Sequence, residues 1–357
     1  MPDVTVQRLV LRALLGLPRP VLRGLAGGGV VYQGGRTLDA AFQYMASQAR
    51  RLPPLTSLPP ADARAASAGG LALTAGRLEK GVRVETISID AAGGAIAARV
   101  YRPAEQDPAA PILVFAHFGG GVIGDLDTCE CFCSILAATA RCAVLSVDYR
   151  LAPEHRFPDG LDDVMAAYRW ARDNAARFGA PAGRAAIGGD SMGGNFAAIV
   201  CQDLKAAGEP QPDLQLLIYP VTDVASETAS MTTYADAYPL SRATMDWFMG
   251  HYMRPQDSPA NPRLSPGRAG DVSGLAPAIV ITAGFDPLVD QGEAYARRLR
   301  AAGVKVTYRC YDHLAHAFTA FTGAIPAADA ACREIAGMVR GAFEGVSAPS
   351  PALSSRP

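Results

Sequence analysis

The feature that most constrains this chain is a five-residue turn, Gly189-Asp190-Ser191-Met192-Gly193, set between two runs of different character. Arg184-Ala185-Ala186-Ile187-Gly188 is a short apolar run before it, and residues 194–200 read as the start of a helix after it. Strand, tight turn and helix in that order lift one side chain clear of the top of a sheet. Larger residues at the two flanking glycines would collide with the strand and the helix. A serine hydroxyl is a poor nucleophile until a base takes its proton, so Ser191 needs that exposed perch. The same turn aims the amide of Met192 outward at a helix start, where it can stabilise a developing oxyanion. In a chain with 36 glycines the five-residue pattern alone is weak; its flanks carry the argument.

The rest of the chain supplies a sheet for that turn to stand on. Residues 82–87 alternate as a strand, residues 91–94 make a turn, and residues 95–101 return, which reads as an antiparallel hairpin at a sheet edge. Short apolar runs then alternate with helical stretches. Strands are expected at 112–115, 143–147, 214–219, 278–282 and 304–308. Helices are expected at about 160–178, after the turn to about Gly208, up to Gly303, and at 327–343. Such alternation predicts an α/β fold, a mostly parallel central sheet with helices on both faces. Residues 222–265 interrupt it with aromatics and prolines, and residues 1–75 read helical and irregular, with a helix candidate at 38–45. Both pieces are expected to form a helical cap, leaving 76–221 and 266–346 as the catalytic domain and 347–357 as a disordered tail.

Composition removes some function classes. Lys+Arg 33 against Asp+Glu 34 leaves no basic stripe for nucleic acid. Seven cysteines, an odd number without framework spacing, point to reduced thiols and a cytoplasmic location. Cys129, Cys131 and Cys133 lack the paired spacing of a zinc site, so they are expected to pack on a strand or helix near a pocket, with no metal. Arg8, Arg12, Arg19 and Arg23 break the apolar N-terminus, and no run is long enough to span a membrane, so stable insertion is not expected. Touching a membrane surface is open to such a segment, but a lid helix packed on its own domain is the preferred reading.

In a parallel sheet reactive groups gather beyond the carboxyl ends of the strands. After 278–282 come Asp286 and Asp290; after 304–308 come His313 and His316. A serine needs a base near neutral pKa, and that base needs a carboxylate to fix its tautomer. Asp286, nearer the strand, is the expected carboxylate, with Asp290 capping the following helix. His316, further along than His313, is the expected base. His117-Phe118-Gly119-Gly120-Gly121 follows 112–115, and its glycine amides can point at the same oxygen as Met192. His117 is expected to brace that loop. The loop lacks the lysine and spacing of a phosphate-binding P-loop.

These stretches, with 148–155 (Asp148-Tyr149-Arg150-Leu151-Ala152-Pro153-Glu154-His155), 219–223 (Tyr219-Pro220-Val221-Thr222-Asp223) and Asp286-Pro287-Leu288-Val289-Asp290, resemble the hormone-sensitive-lipase-like bacterial carboxylesterases of the α/β-hydrolase fold. The resemblance runs from about residue 82 to 343. It implies cleavage of carboxylic esters, short- to medium-chain or aryl, through an acyl-enzyme and without a cofactor. It implies Ser191, Asp286 and His316 as the triad, with Gly119, Gly120 and Met192 as the oxyanion hole. The chain departs from the family's His-Gly-Gly-Gly-aromatic pattern. Phe118 stands where the first glycine is usual and Gly121 where the aromatic is usual, and Met192 replaces the commoner alanine. Phe118 and Met192 are therefore expected to reshape the substrate pocket and Gly121 to open space on one side, shifting choice towards bulky or unusual esters; Asp190 is also expected at the pocket. The competing readings are a non-catalytic small-ligand-binding protein on a hydrolase scaffold, and an amidase or lactonase using the same triad. The last strand is an edge that a second copy can pair with.

Overall fold

The structure is a computed structural model that describes residues 4–91 and 93–345. The expected tail at 347–357, and Ala92 of the expected turn, lie outside the described residues.

The chain opens with α1 (Val4–Leu15), α2 (Arg19–Leu25), a two-stranded ribbon of β1 (Tyr32–Gln33) and β2 (Arg36–Thr37), α3 (Ala40–Ala49) and α4 (Pro60–Thr74). The ribbon was not expected from the sequence. The helix expected at 38–45 begins at Ala40 because Asp39 caps it, accepting from Ala41 N at 2.8 Å.

The sheet begins with β3 (Val82–Ala91) and β4 (Gly94–Pro103), the expected antiparallel hairpin. There follow β5 (Ile112–Ala116), α5 (Glu130–Ala140), β6 (Val144–Val147), α6 (Asp159–Asp173), β7 (Ala185–Asp190), α7 (Met192–Ala206) and β8 (Gln215–Ile218). Two helices, α8 (Ala229–Thr233) and α9 (Arg242–Tyr252), occupy the interruption, and β9 (Ala278–Phe285), α10 (Val289–Ala301), β10 (Val306–Ala315) and α11 (Pro326–Phe343) complete the chain. The eight strands lie in the order β10-β9-β8-β7-β5-β6-β4-β3. Pairing is parallel from β10 to β6, and antiparallel between β6 and β4 and between β4 and β3. Strands β5 to β9 are buried along their whole length, as a sheet covered on both faces requires.

One strand differs usefully from expectation. β10 starts at Val306 and runs on to Ala315, with a register shift between Tyr311 and Ala315. His313 is therefore an exposed strand residue whose carbonyl accepts from Asp39 N at 2.9 Å, and His316 is the first residue beyond the strand. Gly284 permits the bulge: a Cβ there would lie 2.3 Å from Asp312 O.

The N-terminal segment packs over the loops at the top of the sheet. Phe42 meets Phe321 edge-on, with ring centroids 5.0 Å apart. Arg64 on α4 donates to Val122 O and Ala152 O, each at 2.8 Å, and pairs with Glu154. One guanidinium thus holds the glycine loop and the segment after β6 together.

Candidate active site

The turn after β7 has the strain its position demands. Ser191 sits at φ 54°, ψ −114°, where an L residue is held only by its surroundings. Its amide donates to Ile218 O at 2.8 Å, and its carbonyl accepts from Asn195 N at 3.0 Å and Val221 N at 3.3 Å. The flanking glycines are required by backbone. A Cβ on Gly193 would stand 1.9 Å from Ala116 O, and one on Gly189 would stand 2.3 Å from the Gly193 carbonyl carbon.

Three strand ends converge on this serine. The Ser191 hydroxyl and His316 Nε2 are 2.9 Å apart, and His316 Nδ1 and Asp286 Oδ2 are 2.7 Å apart. With Nδ1 protonated, His316 donates to the carboxylate and leaves Nε2 free to accept from the serine. Asp286 is wholly buried, and its other oxygen accepts from Leu288 N at 2.9 Å. Asp290 is elsewhere: its carboxylate accepts from Ser230 N at 2.7 Å, at the start of α8. It caps a helix, though not its own, because it sits inside the first turn of α10, past the capping position.

The glycine loop takes three successive left-handed conformations, Gly119 at φ 127°, Gly120 at 64° and Gly121 at 74°. A Cβ on Gly119 would meet Ile123 O at 2.0 Å. Among the described residues the amides of Gly119, Gly120 and Met192 donate to no acceptor, which leaves them available to a ligand oxygen. His117 braces the loop as expected. It is fully buried, stacks on Tyr149 at 4.2 Å, donates from Nδ1 to Phe118 O at 2.7 Å, and burial pushes its pKa down to about 4.

Asp190 is a second buried carboxylate beside the serine. Tyr219 donates to it at 2.9 Å and Thr319 at 2.7 Å, while the two hydroxyls lie 2.6 Å from each other. The Cys129 thiol is 3.6 Å away. Tyr219 in turn packs on the His316 ring, with centroids 4.6 Å apart. This network ties the nucleophile turn to the histidine loop. Desolvation raises the Asp190 pKa to about 6, against the hydrogen bonds that favour its charge. The three clustered cysteines lie at the start of α5, all buried, and burial pushes each thiol up.

A cavity of about 70 Å³ opens at Ser191 and Gly120. Val221, Met231, Leu240, Phe248, Met249 and Leu288 give it apolar walls, and Glu227 and Arg242 line it as a bidentate ion pair at 2.5 and 2.6 Å. Most of this lining comes from the segment between β8 and β9, which sequence patterning marked as an interruption without identifying its pocket residues.

Phe118, Gly121 and Asp190, expected at the substrate pocket, do not line this cavity. Phe118 is buried in the core on the α5 and α11 side of the sheet, and Asp190 faces its hydroxyl partners. Nor does Gly121 open space: a Cβ there would lie 2.7 Å from Tyr252, as one on Gly120 would lie 2.3 Å from Phe248. Helix α9 fills the room that the missing side chains leave. Sequence reasoning also missed Arg64, Tyr219 and Thr319. Tyr219 had a signal, standing at the end of an apolar strand in Tyr219-Pro220-Val221-Thr222-Asp223.

Comparison with known proteins agrees with the fold. A family with the α/β-hydrolase fold matches residues 113–320. The carboxylic ester hydrolase LipN of Mycobacterium tuberculosis is 42% identical over 323 residues, covering 88% of this chain and 85% of that one. The ethyl acetate hydrolase of Pseudomonas putida is 38% identical, covering 77% of this chain and 88% of its own. Among solved structures, an ester hydrolase from the metagenome of Lake Arreo, complexed with a bipyridine phosphonate derivative, superposes with a TM-score of 0.81 at 42% identity, over 85% of this chain and 97% of that one. A thermostable esterase from Pseudomonas putida gives 0.78 at 35% identity, over 84% and 97%. With the strand order, the serine turn and the glycine loop in place, the chain belongs to the α/β-hydrolase-fold family, in its hormone-sensitive-lipase-like group.

Proposed function

We propose that this chain is a serine carboxylesterase that cleaves esters of small acids through an acyl-enzyme. The observation that carries the reading is the unbroken relay of Ser191, His316 and Asp286, at 2.9 and 2.7 Å. Ser191 attacks the ester carbonyl as His316 takes its proton. Asp286 holds the imidazole in the productive tautomer and stabilises the imidazolium. The amides of Gly119, Gly120 and Met192 receive the oxyanion. His316 then gives its proton to the departing alcohol, and water, activated by the same imidazole, releases the acid.

The cavity supports an ester substrate: its apolar walls beside Ser191 suit an acyl chain. The relatives that bear ester-hydrolase names, one of them an ethyl acetate hydrolase, support the same class. Residues 1–75 and 222–265 act as the cap: the second piece walls the cavity and the first braces the loops beneath. Seven free cysteines support a cytoplasmic location. Pairing of two copies along the β10 edge would use its first part, because Asp39 and Arg36 already engage residues 312–313.

The test is a p-nitrophenyl ester series of increasing acyl length, with fluorophosphonate labelling of the same preparation. Acetate and butyrate esters should turn over fastest, and Ser191→Ala should lose several orders of magnitude in kcat together with all labelling. Labelling that survives in Ser191→Ala would remove Ser191 from the proposed role.

A further inference from the structure

Helix α1 is amphipathic in the opposite sense to a water-facing helix. At about 100° per residue, Val6, Leu9, Val10 and Ala13 share one side, and that side is exposed. Leu17 continues it, and exposure runs from 38% at Leu17 to 63% at Val10. The opposite side carries the arginines. Arg8 donates to Ala72 O and Arg12 to Gly323 O, around the inward Leu15. Helix α2 repeats the arrangement, with Leu22 buried and Val21 and Leu25 exposed. Val4, Val6, Leu9, Val10, Leu17, Val21 and Leu25 are each at least 38% exposed, a concentration of aliphatic side chains in one short segment that scattered exposure does not explain.

The charge around it selects the occupant. From Val4 to Leu38 the sequence holds five arginines and no acidic residue, in a chain whose net charge is −1. Among the described residues, Arg8, Arg12, Arg19 and Arg23 have no carboxylate partner; only Arg36 is paired, with Asp312. Arg8 and Arg12 lie behind the aliphatic face and Arg19 is exposed; a second copy docked face to face would add a second positive segment and supply no carboxylate to either. An anionic lipid surface takes the aliphatic side chains and the positive field together. We infer that α1 and α2 form a docking face for anionic bilayer surfaces, seating the protein peripherally. No helix among the described residues is long and apolar enough to cross a membrane, so the contact is shallow and reversible.

The experiment is co-flotation of the full chain with phosphatidylcholine vesicles, with and without about one third phosphatidylglycerol. Binding is expected to the anionic vesicles only, and to weaken severalfold as salt rises to about 0.5 M. A Leu9→Ser, Val10→Ser double variant should bind roughly tenfold more weakly or worse. Arg19→Glu should bind several-fold more weakly. Both exposed-site variants should keep wild-type melting temperature and ester turnover, which separates failure of this inference from failure of the esterase reading. No flotation with either vesicle, or flotation unchanged by the double variant, overturns the inference. So does concentration-dependent self-association that the double variant abolishes, which would give the face to a second copy.

Discussion

Replacing Asp190 by asparagine should make this protein more stable at neutral pH. The carboxyl is wholly buried, and burial lifts its pKa from the ordinary 3.8 to about 6. At ~1.4 kcal/mol per tenfold change, holding it ionised in the fold costs about 3 kcal/mol more than in the unfolded chain. Because the folded value lies above the unfolded one, the protonated form's contribution is complete below about pH 4 and is lost as pH rises through about 6. Asparagine has the shape of the protonated acid and no proton to lose. One oxygen of Asp190 takes both the Tyr219 and Thr319 hydroxyls, so the amide oxygen can keep both bonds and turn its NH₂ towards Cys129. The assay is urea unfolding of both proteins from pH 4 to 8. The two curves should coincide at the acid end and separate by up to about 3 kcal/mol in favour of asparagine above pH 7, with unchanged m. Asp190→Ala supplies the contrast, since it leaves a cavity and a buried hydroxyl short of a partner, at ~1–3 kcal/mol for the hydroxyl alone. Turnover should fall by roughly tenfold in the asparagine variant, because a negative charge behind Tyr219 no longer favours the imidazolium. If Asp190→Asn is less stable than the parent at pH 8, charge-assisted hydrogen bonds outweigh desolvation and the reasoning fails.

Other expectations follow from the same geometry. Asp286→Asn should lower kcat by roughly 10⁴, because the amide favours the wrong imidazole tautomer; Asp290→Asn should leave kcat within about twofold and cost ~1 kcal/mol in unfolding experiments through the weakened cap on Ser230 N. Gly193→Ala puts a methyl 1.9 Å from a strand carbonyl and should cost more than about 3 kcal/mol with loss of turnover, whereas Gly208→Ala, at φ +68° with open space around it, should cost only ~1 kcal/mol and keep full activity. Thermal melts with initial rates on one ester check both glycine variants.

The legible part of this site is the part that backbone geometry dictates. Gly189 and Gly193 are glycines because strand and helix atoms occupy the space a side chain would need, so the turn announces itself in sequence. Serine, acid and histidine had to follow strand ends in a parallel sheet, and only Asp286 or Asp290 and His313 or His316 were available. The choice within each pair turned on where the strand stopped. β10 runs to Ala315 through a bulge that Gly284 makes room for, which puts His313 on the strand and His316 at its mouth. The illegible part depends on contacts between residues far apart in the chain. A missing side chain at Gly121 looks like open space until α9, over a hundred positions later, delivers Tyr252 into it. The direction of Asp190 was hidden for the same reason, since its partners Tyr219 and Thr319 belong to other strand ends. The N-terminal helices show the limit from the other side. Their arginines read as interruptions of an apolar run, yet Arg12 is turned inward by a carbonyl at Gly323, and that turn leaves the apolar residues facing out. A periodicity can place side chains on one face of a helix, but which face meets the protein is decided by partners the local pattern does not contain.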